Sequence, residues 1–222
     1  MVHFEFLTED QSSAKAMVIL IDKLFGDKIT YNIHSYKGLG HTPKNLRPKT
    51  DAKKRILLDR LPGLLRGYGH NPNCGIIVIL CDLDKRNEEL FRAELQQVLD
   101  FCNPKPITLF CLAIEEFEAW YLGDLNAIYT AYPSANQSVL NSYKNDSICD
   151  TWEFLADAVC KGGSIALKEK GWQAIGKQKS IWAEEITPHM NINDNISPSF
   201  MYMCTQLRNV SGQTIQNIEN TH

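Results

Sequence analysis

Apolar residues in the first half of the chain fall into four runs of strand length, separated by segments with helical periodicity. The strand-like runs are VHFEFL, KITYNIHSY, GIIVILCDLD and ITLFCLAI. The helix-like segments between them are AKAMVILIDKLFG, TDAKKRILLDRL and EELFRAELQQVLDF. This alternation predicts an α/β fold with a mainly parallel, Rossmann-like sheet that carries helices on both faces.

Local signals in the sequence predict where three of these elements begin or end. The third strand-like run is predicted to continue through Asp84. Asn87 is predicted to cap the helix that follows it, because an asparagine side chain accepts hydrogen bonds from the first free N–H groups of a helix. The segment 50–61 is predicted as a helix that Pro62 breaks or restarts.

The pattern of apolar and polar residues changes after residue 124. Residues 1–124 hold all four strand-like runs and form the predicted α/β core. Residues 125–208 contain short helix-like pieces joined by polar loops, which predicts a helical extension packed on the core. Residues 209–222 are polar and predict a flexible tail.

Composition and hydropathy indicate a globular protein that does not enter a membrane. No apolar run approaches the roughly 20 residues that a membrane-spanning helix needs. The first residues lack the basic and apolar regions of a secretory signal. The seven cysteines form no Cys-x-x-Cys pair, and several lie in apolar runs, as buried reduced thiols do. We therefore expect a cytoplasmic location.

The net charge of −3 hides an uneven distribution of charge along the chain. The segment 37–66 holds nine Lys or Arg residues against two Asp residues. The segment 80–124 holds ten acidic residues against four basic ones. A basic segment beside an acidic one suits an anionic polymer held against a metal-loaded centre. A solvated helix face opposite an acidic surface would give the same counts.

Acidic residues follow the ends of three of the predicted strands. Glu9 follows the first, Asp82 and Asp84 end the third, and Glu115 and Glu116 follow the fourth. The carboxyl ends of parallel strands meet at one edge of a sheet, so one site can hold all of these groups. Positions i and i+2 of a strand face the same way, which predicts that Asp82 and Asp84 project together. A cation between them would remove their repulsion, and oxygen ligands favour Mg²⁺ or Mn²⁺.

A glutamate after the first strand and an Asp-x-Asp after a later central strand resemble the Toprim arrangement of primases, topoisomerases and OLD-type nucleases. The strings FLTEDQSS, YKGLGHTPKN, CDLDKRN, AIEEFEAWYLGD and SPSF resemble more closely a bacterial family of small Toprim-like proteins. Members of that family are encoded beside an ABC-type ATPase in anti-phage defence loci. The likeness runs from about residue 4 to residue 207.

This resemblance implies a nuclease that depends on Mg²⁺ or Mn²⁺. It implies catalytic roles for five acidic residues, Glu9, Asp82, Asp84, Glu116 and Glu118. The first four of these are the implied metal ligands, and Glu9 is either a ligand or the general acid/base.

Three points limit this transfer of roles. Glu116 and Glu118 share a face only if the strand persists to residue 118, whereas a helix from Glu115 would pair Glu115 with Glu118. The acidic trio could also do no more than place favourable charge at the N-terminus of a helix. OLD-type nucleases carry a further acid where this chain has Ser13, so a one-metal mechanism stays open.

The loop KGLGHTPKN and its basic surroundings are candidates for nucleic-acid binding. Glycines allow close backbone approach to a phosphate, and the lysines supply positive charge. The candidate contacts are Lys37, Lys44, Lys53, Lys54, Lys85 and Arg86. An ordinary connector with solvated lysines would have the same composition, and the family likeness favours substrate binding.

Three functional hypotheses follow from the sequence. The first is a metal-dependent nuclease acting on DNA or RNA, including tRNA, as the effector of a defence or toxin-like system with an ABC-type ATPase partner. A homodimer is compatible with this hypothesis. The second is a non-catalytic regulatory subunit of that ATPase. The third is a flavodoxin-like phosphoacceptor domain with Asp84 as the acceptor, although the Thr/Ser and Lys residues of such domains have no convincing counterpart here.

Overall fold

The computed structural model describes residues 1–47, 51–147 and 150–219, except for the side chains of 52 and 213–219. Four parallel strands form a single sheet in the order β2-β1-β3-β4. Their bounds are Val2–Thr8 (β1), Ile29–Ser35 (β2), Ile76–Asp82 (β3) and Thr108–Ala113 (β4). All four strand-like runs of the sequence therefore form strands, and the predicted α/β class is confirmed.

Three helices connect the strands, and seven follow them within the described part of the chain. The connecting helices are Gln11–Phe25 (α1), Leu57–Gly69 (α2) and Glu88–Asp100 (α3). The later helices are Glu118–Leu122 (α4), Leu125–Ala131 (α5), Gln137–Asn141 (α6), Thr151–Val159 (α7), Gly163–Glu169 (α8), Trp172–Glu185 (α9) and Pro198–Glu219 (α10). Short 3₁₀ turns lie at Ala52–Lys54 and Thr187–His189.

Each face of the sheet buries its own hydrophobic core. Alternate residues of β3, such as Val78, face a core that includes α1, α9 and α10. The intervening residues, such as Ile79, face a second core formed with α2 and α3. Burial on both faces explains why β3 reads as an unbroken apolar run. The helical extension therefore completes one layer of the core and contacts the sheet through α10.

The winding of the chain creates a crevice at the carboxyl ends of β1 and β3. The chain passes from β1 to β2 on one side, and then crosses over to β3 on the other side of β1. The connection after β1 and the connection after β3 therefore leave in opposite directions. In sheets of this kind, ligands bind at such a switch point, outside the carboxyl ends of the strands.

The second helix differs from its prediction at both ends. Helix α2 begins at Leu57 and continues through Pro62 to Gly69, whereas the sequence predicted a helix over 50–61. Its start is fixed by tertiary hydrogen bonds, because the Leu57 and Leu58 N–H groups donate to the carbonyls of Gly38 and Leu39 at 3.1 and 2.9 Å. These carbonyls accept from N–H groups that a side-chain cap would otherwise satisfy. A helix start of this type has no local sequence signal.

Side chains fix the starts of helices α3 and α10. The Asn87 side chain accepts a hydrogen bond from the Leu90 N–H at 2.9 Å and caps α3, as predicted. The SPSF string begins α10, with Pro198 as its first residue and Ser197 just before it. Asp146 strengthens this start, because its carboxylate accepts hydrogen bonds from the Ser197 hydroxyl and the Ser199 N–H, both at 2.6 Å.

The C-terminal region is helical, and no strand follows β4 in the part of the chain that the structure describes. Helix α10 continues through 209–219, which is most of the segment predicted as a flexible tail, and residues 220–222 lie outside the described ranges. None of the helices in those ranges has both the length and the apolar character needed to cross a membrane. The six cysteines that the structure describes are free thiols.

Candidate functional site

Glu9 lies directly beside the end of β3. The Glu9 N–H donates to the carbonyl of Leu80 at 3.2 Å, which extends the pairing of β1 with β3 by one residue. In return, the Asp82 N–H donates to the Glu9 Oε2 atom at 3.2 Å. The Glu9 carboxylate therefore lies against the backbone of Asp82 at the switch point of the sheet, and its charge acts on the Asp82 side chain.

Asp84 does not lie on the strand, so the prediction that it shares a strand face with Asp82 is wrong. Pairing between β3 and β4 ends at Asp82, and Asp84 adopts a left-handed conformation with φ of 52°. The turn is held by the Asp84 N–H, which donates to the carbonyl of Glu115 at 2.8 Å. The Asp84 carboxylate accepts from Arg86 at 2.6 Å, and its charge still acts on Glu9.

Glu116 and Glu118 converge on Lys179, a residue of α9. The Lys179 Nζ atom lies 3.1 Å from Glu116 Oε1 and 3.2 Å from Glu118 Oε2. Neither of the two predicted geometries brings the glutamates together, because β4 ends at Ala113, a turn follows, and α4 begins at Glu118. The lysine, supplied by the helical extension, joins them.

Glu115 and Glu116 also bind the N-terminus of α7. The Glu115 Oε2 atom accepts hydrogen bonds from the N–H of Thr151, at 2.9 Å, and from its hydroxyl. The Glu116 Oε2 atom accepts from the Trp152 N–H at 2.9 Å. Carboxylates at the start of a helix satisfy free N–H groups and interact favourably with the helix dipole. Glu115 is therefore a structural tether between the core and the extension.

The carboxyl groups on the β1–β3 side of the site have no positive charge to compensate them fully. Burial and the nearby charge of Asp84 raise the pKa of Glu9 from its ordinary value of 4.5 to about 7. Burial and the charge of Glu9 raise the pKa of Asp82 well above its usual range. The Asp82 N–H and the ammonium of Lys179 act in the opposite direction on Glu9 without cancelling these effects.

The carboxyl groups on the β4 side have the Lys179 ammonium as a direct counter-ion. Burial still raises the pKa of Glu118 to about 7, although Lys179 opposes this shift. For Lys179 itself, burial favours the neutral form. Its interactions with Glu118, Glu116 and Asp82 outweigh burial and raise the pKa of the ammonium well above its usual range. The lysine is thus held in its charged form by the acidic cluster.

Asp10 and Ser13 cap α1 beside this cluster. The Asp10 carboxylate accepts from the Ser13 N–H at 2.8 Å and from the hydroxyls of Ser12 and Ser13 at 2.8 and 2.7 Å. Ser13 is therefore occupied as part of a helix cap. Asp10 adds negative charge near Glu9 and Glu118.

The glycine-containing loop is attached to the site through its backbone. The Gly38 N–H donates to the carbonyl of Glu9 at 3.0 Å, and the Lys37 N–H donates to the carbonyl of Arg55 at 2.9 Å. Gly38 and Gly40 both have positive φ values, 108° and 68°, which glycine adopts without strain. The loop therefore begins immediately beside the acidic cluster.

The six basic candidates divide into two groups. Lys37, Lys44, Lys53 and Lys54 have exposed side chains on the loop and the 3₁₀ turn that precedes α2. The other two have acidic partners: Lys85 lies 3.5 Å from Asp150, and Arg86 pairs with Asp84. Residues 48–50 of the predicted basic segment lie outside the described residues.

A cavity of about 140 Å³ opens at the acidic cluster. Asp84, Glu116 and Trp152 line it, with Lys85 and Asp150 at its walls. At roughly 30 Å³ for each water, this volume holds a few waters or a group of phosphate size. A larger cavity of about 500 Å³ lies between α3 and the start of α10. Glu9 and Asp82 line neither of these two cavities.

The fit of this site to a divalent cation differs between its two sides. Among the described residues, no three His, Cys, Asp or Glu side chains are already arranged as a metal-binding group. Glu9, Asp82 and Asp84 nevertheless suit a cation by their chemistry, since they are oxygen ligands whose mutual repulsion a cation would relieve. Glu116 does not fit, because its two carboxylate oxygens already accept from Lys179 and from the Trp152 N–H.

Lys179 is the residue of the site that the sequence analysis missed. It lies about 60 residues beyond the acidic groups that it contacts, in a segment assigned only to the helical extension. A signal was nevertheless present, because Ile175, Lys179 and Trp182 follow helical spacing on the inward face of α9. A lysine on an apolar stripe indicates a buried cation that has a partner.

Comparisons with protein-family models, with curated proteins and with solved structures give no match for this chain.

Proposed function

We propose that the protein is a phosphodiesterase that depends on Mg²⁺ or Mn²⁺ and cleaves nucleic acid. The observation that carries this proposal is the meeting of Glu9 and Asp82 at the switch point of the sheet, with a pKa for Glu9 of about 7. Carboxylates that remain together without full compensation destabilise a fold, and such groups cluster at functional sites.

In this proposal, Glu9, Asp82 and Asp84 would hold the cation. The bound cation would neutralise charge on the scissile phosphate and lower the pKa of an attacking water. The protein contributes orientation, because the Asp82 N–H fixes the Glu9 carboxylate and the left-handed turn at Asp84 places the third acid beside them. Arg86, paired with Asp84, supplies positive charge at the mouth of the site.

The loop after β2 supplies the proposed contact surface for the nucleic-acid backbone. Its attachment through Gly38 to the Glu9 carbonyl places Lys37 close to the acidic centre. Lys44, Lys53 and Lys54 are exposed on the same connection between β2 and α2. Contacts of this kind are largely independent of base sequence and weaken with salt.

The resemblance of the sequence to small Toprim-like proteins extends this proposal to a biological setting. In that setting the chain acts as the effector of an anti-phage defence or toxin-like system, and an ABC-type ATPase controls it. Both DNA and RNA, tRNA included, are candidate substrates of such an effector.

A nuclease assay with matched variants tests the proposal. Purified protein is incubated with single- and double-stranded DNA, with RNA and with tRNA, in the presence of Mg²⁺, Mn²⁺ or EDTA. We expect cleavage that requires the cation. Asp82→Asn should reduce the rate by more than the about 10- to 100-fold that loss of an outer-shell partner costs a metal site. Glu94→Gln, at a partly exposed position of α3, is the matched control and should retain the wild-type rate.

The assay is repeated with the ATPase that the resemblance implies, in case the chain is active only in its complex. If the wild-type protein leaves every substrate intact under both conditions, or if Asp82→Asn cleaves as fast as wild type, the catalytic proposal is wrong.

One observation favours the alternative of a non-catalytic regulatory subunit. Glu115 and Glu116 have structural roles in binding the start of α7, and Lys179 neutralises Glu118. If those roles account for the whole acidic cluster, the chain will bind the ATPase and modify its hydrolysis rate with no dependence on Asp82.

A further inference from the structure

Trp172 is a large aromatic side chain that the fold leaves in solvent. It is 82% exposed, whereas the other three tryptophans, at positions 120, 152 and 182, lie in the hydrophobic core. Ile165, in the same short segment of the extension, is 71% exposed. Tryptophan is enriched in binding surfaces, where its ring supplies a large contact area. Residues 161–177 therefore form a candidate contact surface, the α8–α9 surface.

The charge of the α8–α9 surface favours an anionic ligand. Between residues 161 and 177 the chain carries a single acid, Glu169, and four lysines with exposed side chains, Lys161, Lys168, Lys170 and Lys177. One of these lysines, Lys168, pairs with Glu153 of α7 at 3.1 Å. The other three form no ion pair among the described residues, so their charges are available to a ligand.

The α8–α9 surface lies beside the acidic cavity. The Lys168 Nζ atom is 5.5 Å from the centre of the Trp152 ring, and Trp152 and Glu153 both line that cavity. The Gly171 N–H donates to the carbonyl of Lys168 at 3.0 Å, and this tight turn keeps Trp172, the next residue, close to the end of α8. A chain-like ligand that leaves the cavity across Lys168 therefore reaches Trp172.

An aromatic ring among lysines fits single-stranded nucleic acid better than other anionic partners. In a single strand the base faces are free to stack on an aromatic ring while basic side chains hold the phosphates. In a duplex the base faces are already stacked on one another. An anionic membrane would bind a helix with a free apolar face, but the apolar face of α9, which includes Ile175 and Trp182, is buried in the core.

We propose that the α8–α9 surface binds single-stranded nucleic acid, with one base stacked on the indole ring of Trp172 and neighbouring phosphates held by Lys170 and Lys177. The helix leaves space for the base, because a Cβ atom at Gly176, one turn after Trp172, would meet nothing within 4 Å. The inference rests on the proposed function for the identity of the ligand. It narrows the substrate class to unpaired strands and to unpaired segments of folded RNA.

Tryptophan fluorescence tests the inference directly, because Trp172 is the exposed one of the four tryptophans. Full-length protein is titrated with oligo(dT), with oligo(U) and with a DNA duplex, in EDTA to prevent the proposed cleavage. We expect both single strands to quench the fluorescence, and the duplex to bind about 5-fold more weakly or worse, the lower limit for loss of one stacked base. Trp172→Phe keeps an aromatic ring, so it should bind the single strands with an affinity within about threefold of wild type but lose the quenching.

Substitutions that remove the ring or a charge measure each part of the surface. Trp172→Ala should weaken the binding of fluorescein-labelled oligo(dT), measured by anisotropy, about 5- to 150-fold, the range for one stacked base. Lys170→Gln should lower the slope of log affinity against log salt concentration by about 0.7, the value for one phosphate contact with a single strand. Phe101→Ala is the matched control and should bind like wild type, because Phe101 is a 61% exposed ring at the far end of α3.

The outcomes separate this inference from the function on which it rests. Absence of binding to either single strand, unchanged binding by Trp172→Ala, or a duplex bound as tightly as oligo(dT) overturns the inference, and the nuclease assay still decides the catalytic proposal. Quenching by phosphatidylserine vesicles but not by the single strands assigns the surface to a membrane and also overturns the inference. Binding that depends on Trp172, in a protein that cleaves no nucleic acid, supports the inference and contradicts the catalytic proposal.

Discussion

Strand β1 leads to two glutamates, Glu5 within the strand and Glu9 just after it, whose surroundings shift their pKa values in opposite directions. Burial alone would raise the pKa of Glu5, but hydrogen bonds from Asn32, His34 and His3 outweigh it and hold the pKa below its ordinary value. The Asn32 amide lies 2.8 Å from the carboxylate, and the His34 Nε2 atom lies 2.7 Å from it. Glu5 is thus a buried acid with a full set of partners.

Glu9 has the opposite environment. Among the described residues, its carboxylate accepts one hydrogen bond, from the Asp82 N–H, and the charges that act on it are those of Asp84, Asp10 and Lys179. Burial and the charges of Asp84 and Asp10 raise its pKa to about 7. The ionised form of Glu9 is therefore unfavourable, whereas the ionised form of Glu5 is favourable.

The difference separates a structural acid from a functional one by physical criteria alone. A buried carboxylate surrounded by donors stabilises the fold. A buried carboxylate surrounded by other carboxylates destabilises the fold in the absence of a ligand, and sites of this kind reflect the trade-off between stability and activity. The comparison also predicts that isosteric substitutions at the two positions change stability with opposite signs.

The larger of these effects is expected at Glu5. Glu5→Gln removes the charge that His34, His3 and Asn32 stabilise, and leaves a buried amide with mismatched partners. We expect a loss of about 1.5–3 kcal/mol in the free energy of unfolding, the range for hydrogen bonds to charged groups. Urea denaturation at pH 7 measures this difference.

Glu94→Gln is the control for Glu5→Gln, because it removes the same charge from a partly exposed position of α3. It should change the free energy of unfolding by less than about 0.5 kcal/mol. A Glu5→Gln variant as stable as Glu94→Gln would show that the polar cluster around Glu5 adds no stability.

A smaller effect of opposite sign is expected at Glu9. Glu9→Gln keeps an acceptor for the Asp82 N–H and removes one of the repelling charges. We expect a gain of about 0.5–2 kcal/mol in the free energy of unfolding at pH 8 with EDTA present, the range for relief of strain at a functional site.

Addition of Mn²⁺ should make wild type more stable than Glu9→Gln, which reverses the order expected in EDTA. Wild type gains stability through ligand binding, and Glu9→Gln gains little, because it lacks one proposed ligand. If Glu9→Gln is less stable than wild type without metal, Glu9 is a structural acid like Glu5, and the comparison fails.

Sequence patterns predicted those elements of the fold whose boundaries are set by residues within or next to the element. The buried strands were readable from their apolar runs, and the start of α3 was readable from Asn87. The start of α2 was not, because the carbonyls of Gly38 and Leu39 fix it from another part of the chain.

The site shows the same division between local and long-range determinants. Glu9 and Asp82 could be placed together because parallel strands end at one edge. The left-handed turn at Asp84 depends on a hydrogen bond to Glu115 in the next connection, so the alternation rule failed there. Lys179 reaches the cluster through the packing of α9 on α1, which no short segment of sequence encodes.

The smallest predicted effect is the change with pH in the stability difference between wild type and Glu5→Gln. It is also the prediction that depends most directly on the ionisation of Glu5. A carboxyl group with a lowered pKa in the folded state stabilises the protein fully above its unfolded pKa, about 4.5 for Glu5. That stabilisation is lost as the pH falls through the folded pKa. The hydrogen bonds from Asn32, His34 and His3 favour the ionised carboxylate until Glu5 itself is protonated. Tyr68, whose hydroxyl lies 3.4 Å from the carboxylate, and the nearby thiol of Cys74 stay protonated throughout this range.

The stability difference between wild type and Glu5→Gln should therefore hold from pH 7 to about pH 5 and then decline as the pH falls through the lowered pKa of Glu5. Urea denaturation at each pH gives this difference directly. A difference that instead vanished between pH 7 and pH 5 would contradict the lowered pKa of Glu5.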